Sequence, residues 1–275
     1  MGKLIYDNFS DVFAFREAIQ SRPNNEVMRG ENASSKGKRD FAGMPLNDAY
    51  KALTDGIPEA AENLKRDLKK FQAKAATNIP QRRPINYYNG HSPNVPAAII
   101  GLPKSMRKTV KTPSKIKTVT LYYNSSENAG TSAETLEKSG AAVLQLVYWL
   151  ELNGYRVKFC LVPYLAESGD ENAVCNVLLK DFRQPLDILK LSFSITSVSM
   201  FRRLGFRWLE TVPNITERSW SFGYGHQISD KDECLELLRK TGQNVDNAYF
   251  IKVSDCKNVD FDPVRLASDL GIKAG

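Results

Sequence analysis

The sequence predicts an α/β fold, a mainly parallel Rossmann-like sheet flanked by helices, preceded by a helical N-terminal extension. Three observations carry this. Thr118–Glu151, TVTLYYNSSENAGTSAETLEKSGAAVLQLVYWLE, passes from a β-branched and aromatic run through a small polar loop into a long amphipathic helix. A second apolar run, Tyr155–Pro163, follows at once. Beyond it, apolar runs continue to alternate with stretches of helical period, the pattern of strands joined by crossover helices.

Taken in order, Asp7–Gln20 carries Phe9, Val12, Phe13, Ala14 and Ile19 at helical spacing, with Asn8 or Ser10 as cap. Ser21–Lys38 mixes Pro, Asn, Gly and Ser without a period and reads as a loop. Leu46–Thr54 is helical and stops at Asp55-Gly56; Pro58–Ala76 is a second helix, with proline in its first turn. Ile79–Pro113 is broken by proline and glycine yet apolar enough to be ordered. Thr118–Tyr123 is the first strand, and Ser132–Asn153 a helix capped by Ser132. Tyr155–Pro163, Ala173–Lys180 and Asn247–Ser254 are further strands. Pro185–Leu191, Ser197–Glu210 and Lys231–Thr241 are helical. The organisation expected is a basic helical extension over 1–78, an ordered connector over 79–116 and an α/β domain over 117–275.

Composition narrows the function classes. Hydrophobic residues make up 42% and charged residues 25% of the 275, which is ordinary for a globular protein. No apolar run approaches the ~20 residues that span a bilayer. The first residues, MGKLIYDNF, have no signal-peptide core, and Tyr6 breaks the myristoylation pattern, so a cytoplasmic protein with no membrane partner is expected. Four scattered cysteines and two histidines, His91 and His226, offer no zinc-site spacing. The net charge of +7 is uneven: residues 1–117 carry +10 and the remainder −3. A basic surface attracts nucleic acid or an acidic partner. Lys65, Arg66, Lys69, Lys70 and Lys74, on the helix from Pro58, are candidates for such contacts; an amphipathic helix with solvated lysines is the plainer reading. Arg202 and Arg203, in the apolar helix SMFRRLGFRWLE, are candidates too, or else structural arginines paired with Glu210 or Asp187.

No glycine-rich phosphate loop or nucleophile elbow occurs, so no nucleotide cofactor is expected. His226, beside Gly223 and Gly225, reads as part of a turn. The loop Asn124-Ser125-Ser126-Glu127-Asn128 closes the first strand, where α/β proteins hold ligands. It resembles the metal-ion loop of von Willebrand factor A domains, in which an Asp-x-Ser-x-Ser motif gives oxygen ligands to a divalent cation. Here Asn124 stands for the aspartate, Ser126 keeps the middle place and Asn128 replaces the last serine. With Asp170 to restore a charge, these residues form a candidate site for Mg²⁺ or Mn²⁺, which need an oxygen shell with a carboxylate. Without one, no cofactor is expected.

Three strings, GHSPNVPAAIIGLPKSM (Gly90–Met106), SGAAVLQLVYWLELNGYRV (Ser139–Val157) and SVSMFRRLGFRWLE (Ser197–Glu210), are similar to a family of phage- and prophage-encoded proteins of unknown function. The resemblance covers roughly Phe41 to Gly225. It implies a phage origin and expression in the host cytoplasm, and it brings no catalytic residues. The function expected is a non-enzymatic interaction module, a degenerate von Willebrand A-like domain that binds a protein partner through loops at the carboxyl edge of the sheet. The alternatives are nucleic-acid binding through the basic N-terminal part and a metal-dependent enzyme at Asn124–Asn128.

Overall fold

A computed structural model describes residues 3–28, 33–75, 85–108, 117–126, 131–216, 220, 223–256 and 262–272. The chain divides into two units, Met1–Phe71 with Lys117–Gly275, and Gln72–Ile116.

The larger unit begins with a strand that the hydrophobic pattern conceals. β1, Lys3–Phe9, pairs in parallel with a distant strand, in register from Lys3↔Glu171 to Phe9↔Val177. The helix expected over Asp7–Gln20 is corrected accordingly: α1 is Val12–Ser21, and its cap is Asp11, which accepts from Phe13 N at 2.9 Å and Ala14 N at 2.8 Å. Asn8, expected as a cap, instead donates to Thr241 O at 2.9 Å and accepts from Asn176 Nδ2 at 3.2 Å. Those sheet partners lie far away in sequence, so local period alone misassigns the segment. Two short helices, α2 (Ala33–Lys36) and α3 (Arg39–Ala42), follow where a loop was expected up to Lys38. α4, Leu46–Asp55, ends at Gly56, whose φ of 77° is a left-handed conformation open to glycine. α5 is Pro58–Ala75.

The smaller unit contains β2 (Ile85–Tyr87), β3 (Ser92–Pro93), the short helix α6 (Val95–Ile99) and β4 (Met106–Lys108). Its strands form an antiparallel sheet in the order β2-β4-β3. At Gly90 a side chain would meet Arg107 O at 2.1 Å, so the chain can pass there only as glycine.

The larger unit resumes with β5 (Lys117–Asn124), α7 (Ala133–Leu152), β6 (Tyr155–Ser168), β7 (Glu171–Lys180) and α8 (Ile188–Thr196). A π-helix, Met200–Gly205, runs directly into α9, Phe206–Thr211. β8 (His226–Gln227), α10 (Lys231–Lys240), β9 (Ala248–Lys252), α11 (Val253–Cys256) and α12 (Pro263–Asp269) complete it. The strand order is β1-β7-β6-β5-β9, with β8 added to β6. The pairs β1–β7, β5–β6 and β5–β9 are parallel. β6 and β7 form an antiparallel hairpin, and β8 is antiparallel to β6. The result is a mixed α/β fold with a mostly parallel central sheet flanked by helices.

Both faces of the sheet are buried, which is why its strands read as nearly continuous apolar runs. Val119, Leu121 and Tyr123 of β5 belong to one core, with Leu144 and Val147 of α7, Phe193 of α8 and Trp208 of α9. Tyr122, between them in sequence, points to the opposite core, with Cys160, Val162, Val174 and Leu237 and Leu238 of α10. Ser132 caps α7 as the sequence predicts, accepting from Thr135 N at 3.2 Å. Among the described residues no helix is long and apolar enough to cross a membrane.

Two predictions follow from this packing. α7 and α8 approach so closely that a Cβ on Gly140 would lie 2.1 Å from Ile195 O. Gly140→Ala therefore lowers stability by about 1–3 kcal/mol, read as a fall of several degrees in Tm on thermal unfolding. All four cysteines are free and buried. Burial pushes Cys160 and Cys234 up to about 12 and Cys256 to about 11, from an ordinary 9.0. The native protein should resist Ellman's reagent at pH 8 and release four thiols in guanidinium. Because these folded-state values are raised, the stability they lend is intact below pH 9.0 and is lost as pH climbs toward 11 to 12.

Candidate functional site

The carboxyl end of β5 is the point where the strand order diverges, β6 lying on one side and β9 on the other. Ligand sites of open α/β sheets form at such points. β5 stops at Asn124, level with Val162 of β6, and β8 takes up pairing on that side of β6 only at Ala166. Among the described residues, Pro163, Tyr164 and Leu165 between them have no ladder partner on that side. At a strand rise of about 3.3 Å, the notch is roughly 10 Å long. Proline, which cannot donate to a ladder, is tolerated where pairing is interrupted. Pro163 also lies in the register shift between Leu161 and Tyr164 on the β7 side.

A cavity of about 180 Å³ fills the notch. Half of its lining residues are aromatic, Phe41, Tyr164, Phe201, Phe206 and Tyr224, with Ser126 and Gln227 as polar lining. The rings hold one another. Phe206 stacks on Tyr224 with centroids 4.2 Å apart, and Phe201 meets Phe206 edge-on at 4.9 Å. Their polar ends are anchored behind them. Tyr164 Oη donates to Tyr224 O, and Tyr224 Oη donates to Glu210 Oε1 at 2.6 Å. Burial raises the Tyr164 pKa well above its ordinary value, so this phenol stays protonated as a donor. The Glu210 carboxylate, itself fully buried, also accepts from Ser34 N at 3.1 Å and from Ser34 Oγ.

Arg202 and Arg203, in the π-helix, position the segment that closes the cavity. Arg202 donates to Phe41 O at 2.8 Å and Thr131 O at 3.0 Å, and its guanidinium lies 4.3 Å from the Phe41 ring centroid. Arg203 donates to Met44 O at 2.9 Å, Ser34 O at 2.9 Å and Gly37 O at 2.8 Å. Both arginines are buried, and desolvation draws both pKa values down. These acceptors are backbone carbonyls, where the sequence suggested a carboxylate such as Glu210 or Asp187 for one of the arginines. Asp187 caps α8, accepting from Lys190 N at 3.2 Å.

The polar loop after β5 borders the same cavity. Asn124 Oδ1 accepts from Ser126 N at 2.9 Å and from Ser126 Oγ at 2.5 Å, and Gln227 Nε2 donates to Ser126 O at 2.8 Å. Asn124 Nδ2 and Ser125 Oγ are buried with no hydrogen-bond partner among the described residues. Asn128 lies outside the described residues. Asp170 sits in the β6–β7 turn, its carbonyl accepting from Lys3 N at 2.8 Å. Pro163–Ser168 and Gly169 separate it from the level of Asn124, roughly 20 Å at ordinary strand rise. The structure therefore does not bring Asp170 to Asn124 and Ser126. The amide oxygen is committed to Ser126, and the described donor set does not fit a hard cation. Among the described residues no group of three or more His, Cys, Asp or Glu is placed to hold a metal ion.

The remaining candidates are elsewhere. Lys65 pairs with Glu62 at 2.7 Å and Lys70 with Asp67 at 3.3 Å along the exposed side of α5. Arg66 and Lys69 are exposed on the same helix; Lys74 lies in its last turn. Ala61, Leu64 and Leu68 are the buried stripe of that helix. His226 is exposed on β8, opposite Glu167. The aromatic cavity itself was missed by sequence reasoning, because its walls come from segments as far apart as Phe41 and Tyr224. The one local signal was proline inside an apolar strand.

A family model described as a domain of unknown function (DUF7192) matches residues 3–270. The chain belongs to the DUF7192 family. No curated protein and no solved structure matches it. The match spans both units of this DUF7192 chain, so the family unit includes β1 at one edge of the sheet as well as the arginine pair and the notch.

Arg203→Met leaves the carbonyls of Ser34, Gly37 and Met44 unpaired. At about 1–3 kcal/mol for each buried unsatisfied group that cannot reach water, the 33–44 segment should loosen from the body. Hydrogen exchange there should speed up markedly, with a lower Tm, while amides in β5 and β6 stay protected in proportion to the remaining global stability.

Proposed function

We propose that this DUF7192 protein is a non-enzymatic interaction module that seats an apolar or aromatic side chain of a protein partner in the notch beside β5. The observation that carries the reading is the aromatic cavity at the switch point of the sheet. At about 180 Å³ it is smaller than the roughly 300–1,000 Å³ of small-molecule and cofactor sites, and it suits a single side chain. Buried aromatic anchors in such pockets supply most of the energy of protein interfaces. Ser126 and Gln227, the polar lining of the cavity, offer hydrogen bonds to the backbone that carries the anchor.

The finer reading is a degenerate von Willebrand A-like body, phage-encoded and acting in a host cytoplasm. Its support is the loop Asn124–Asn128 at the end of β5, with amides in place of the carboxylate, and the three strings that resemble phage and prophage proteins. The metal-dependent alternative loses its charged ligand with Asp170 on the hairpin turn.

Photocrosslinking tests the proposal. Benzoylphenylalanine replacing Phe201, which lines the cavity, should give a discrete crosslinked protein adduct in cells expressing the chain. The same group at Val264, exposed on α12, should not. Equal labelling from both positions, or none from Phe201, would sink the reading.

A further inference from the structure

The positive charge of the chain is concentrated in the smaller unit. Gln72–Ile116 holds eight Lys and Arg residues and not one Asp or Glu, so against a net +7 the rest of the chain stands at −1. α5, the basic helix singled out by sequence, has its lysines partly neutralised by Glu62 and Asp67. The smaller unit has no carboxylate of its own with which to do the same.

The same unit carries exposed apolar side chains. Of the twelve large apolar side chains exposed among the described residues, seven lie between Ile85 and Leu102. Tyr87 and Tyr88 are 41% and 65% exposed, set edge-to-face with centroids 5.7 Å apart. Cations flank both rings: Lys108 Nζ is 4.9 Å from the Tyr87 centroid and Lys104 Nζ 5.5 Å from that of Tyr88. In the β2–β4 register Lys108 is opposite Ile85, on the face that carries Tyr87, and Arg107 is opposite Asn86, on the other face of this narrow sheet. Exposed aromatic faces interleaved with cations that have no carboxylate partner among the described residues form a stacking platform on an electrostatic track.

We propose that the Gln72–Ile116 unit binds single-stranded nucleic acid, with bases stacking on Tyr87 and Tyr88 and phosphates meeting Lys104, Arg107 and Lys108. A duplex hides the base faces that the tyrosines would take, so the preference is for single strands. Binding at an anionic membrane surface rests on an amphipathic helix with a broad apolar face. The helix of this unit, α6, has five residues. The inference is independent of the notch, since it uses other residues and another ligand.

The test is fluorescence anisotropy of the full chain with a labelled thymidine 20-mer, a duplex of equal length, and vesicles containing anionic lipid. The single strand should bind at 50 mM salt, at least tenfold tighter than the duplex. Y87A/Y88A should weaken single-strand binding at least tenfold, because each stacked base is a substantial share of the affinity. K104Q/R107Q/K108Q should make the salt slope shallower by about 2. Both variants substitute surface residues, and unchanged far-UV circular dichroism shows that they fold. No binding of the single strand at 50 mM salt, wild-type affinity in Y87A/Y88A, or binding to vesicles alone would each overturn the proposal.

Discussion

Two adjacent buried arginines tie the larger unit together. Arg202 and Arg203 donate hydrogen bonds to the carbonyls of Ser34, Gly37, Phe41, Met44 and Thr131. The 33–44 segment has short helices and polar turns with little apolar surface, so packing alone would hold it weakly. Charge-assisted bonds to its carbonyls supply what its side chains lack. Both arginines lie in the π-helix. Its i→i+5 turn holds more residues than an α-turn, so neighbouring side chains diverge by a smaller angle, and both guanidinium groups reach the same segment.

The notch depends on this anchoring and on two backbone accommodations. Arg202 fixes Phe41 by both its carbonyl and its ring, which sets one wall of the cavity. Gly205, at the end of the π-helix, lies against β6 so closely that a Cβ would be 2.6 Å from Pro163 O. Pro163 in turn falls where, among the described residues, β6 has no ladder partner on the β5 side. An interrupted ladder, a close glycine and a prolonged helical turn thus coincide at one place. Irregularities of this kind commonly gather where a fold has been shaped for contact.

How much of this was legible in the sequence follows from the range of the forces involved. β5, α7 and the start of β6 are set by local composition and a capping serine, and their boundaries were readable to within a residue or two. β1 was not, because its strand character comes from pairing with β7, more than a hundred and sixty residues away. The length of β6 was underestimated because Pro163 looked like an ending; only the notch explains how a strand can run through it. For the site, the polar loop after β5 borders a cavity through Ser126, but the aromatic walls are assembled by tertiary contacts and leave no motif. Asp170 failed as a ligand for a geometric reason, since β6 extends well past the end of β5 before it turns.

The pairing of β1 with β7 also fixes an order of events during synthesis. Lys3–Phe9 is the first part of the sheet to leave the ribosome, yet its neighbour, Glu171–Lys180, is made only after β5 and β6. Until then the nascent chain carries an orphan strand, and β7, once formed, presents an open edge until that strand docks. Closure of the sheet by its oldest segment makes the two ends of a long stretch of chain meet as a late step, with the entropy of a large loop against it. The N-terminal strand therefore acts as a latch on the sheet, and the edge it covers is the surface through which an incompletely folded chain would adhere to another.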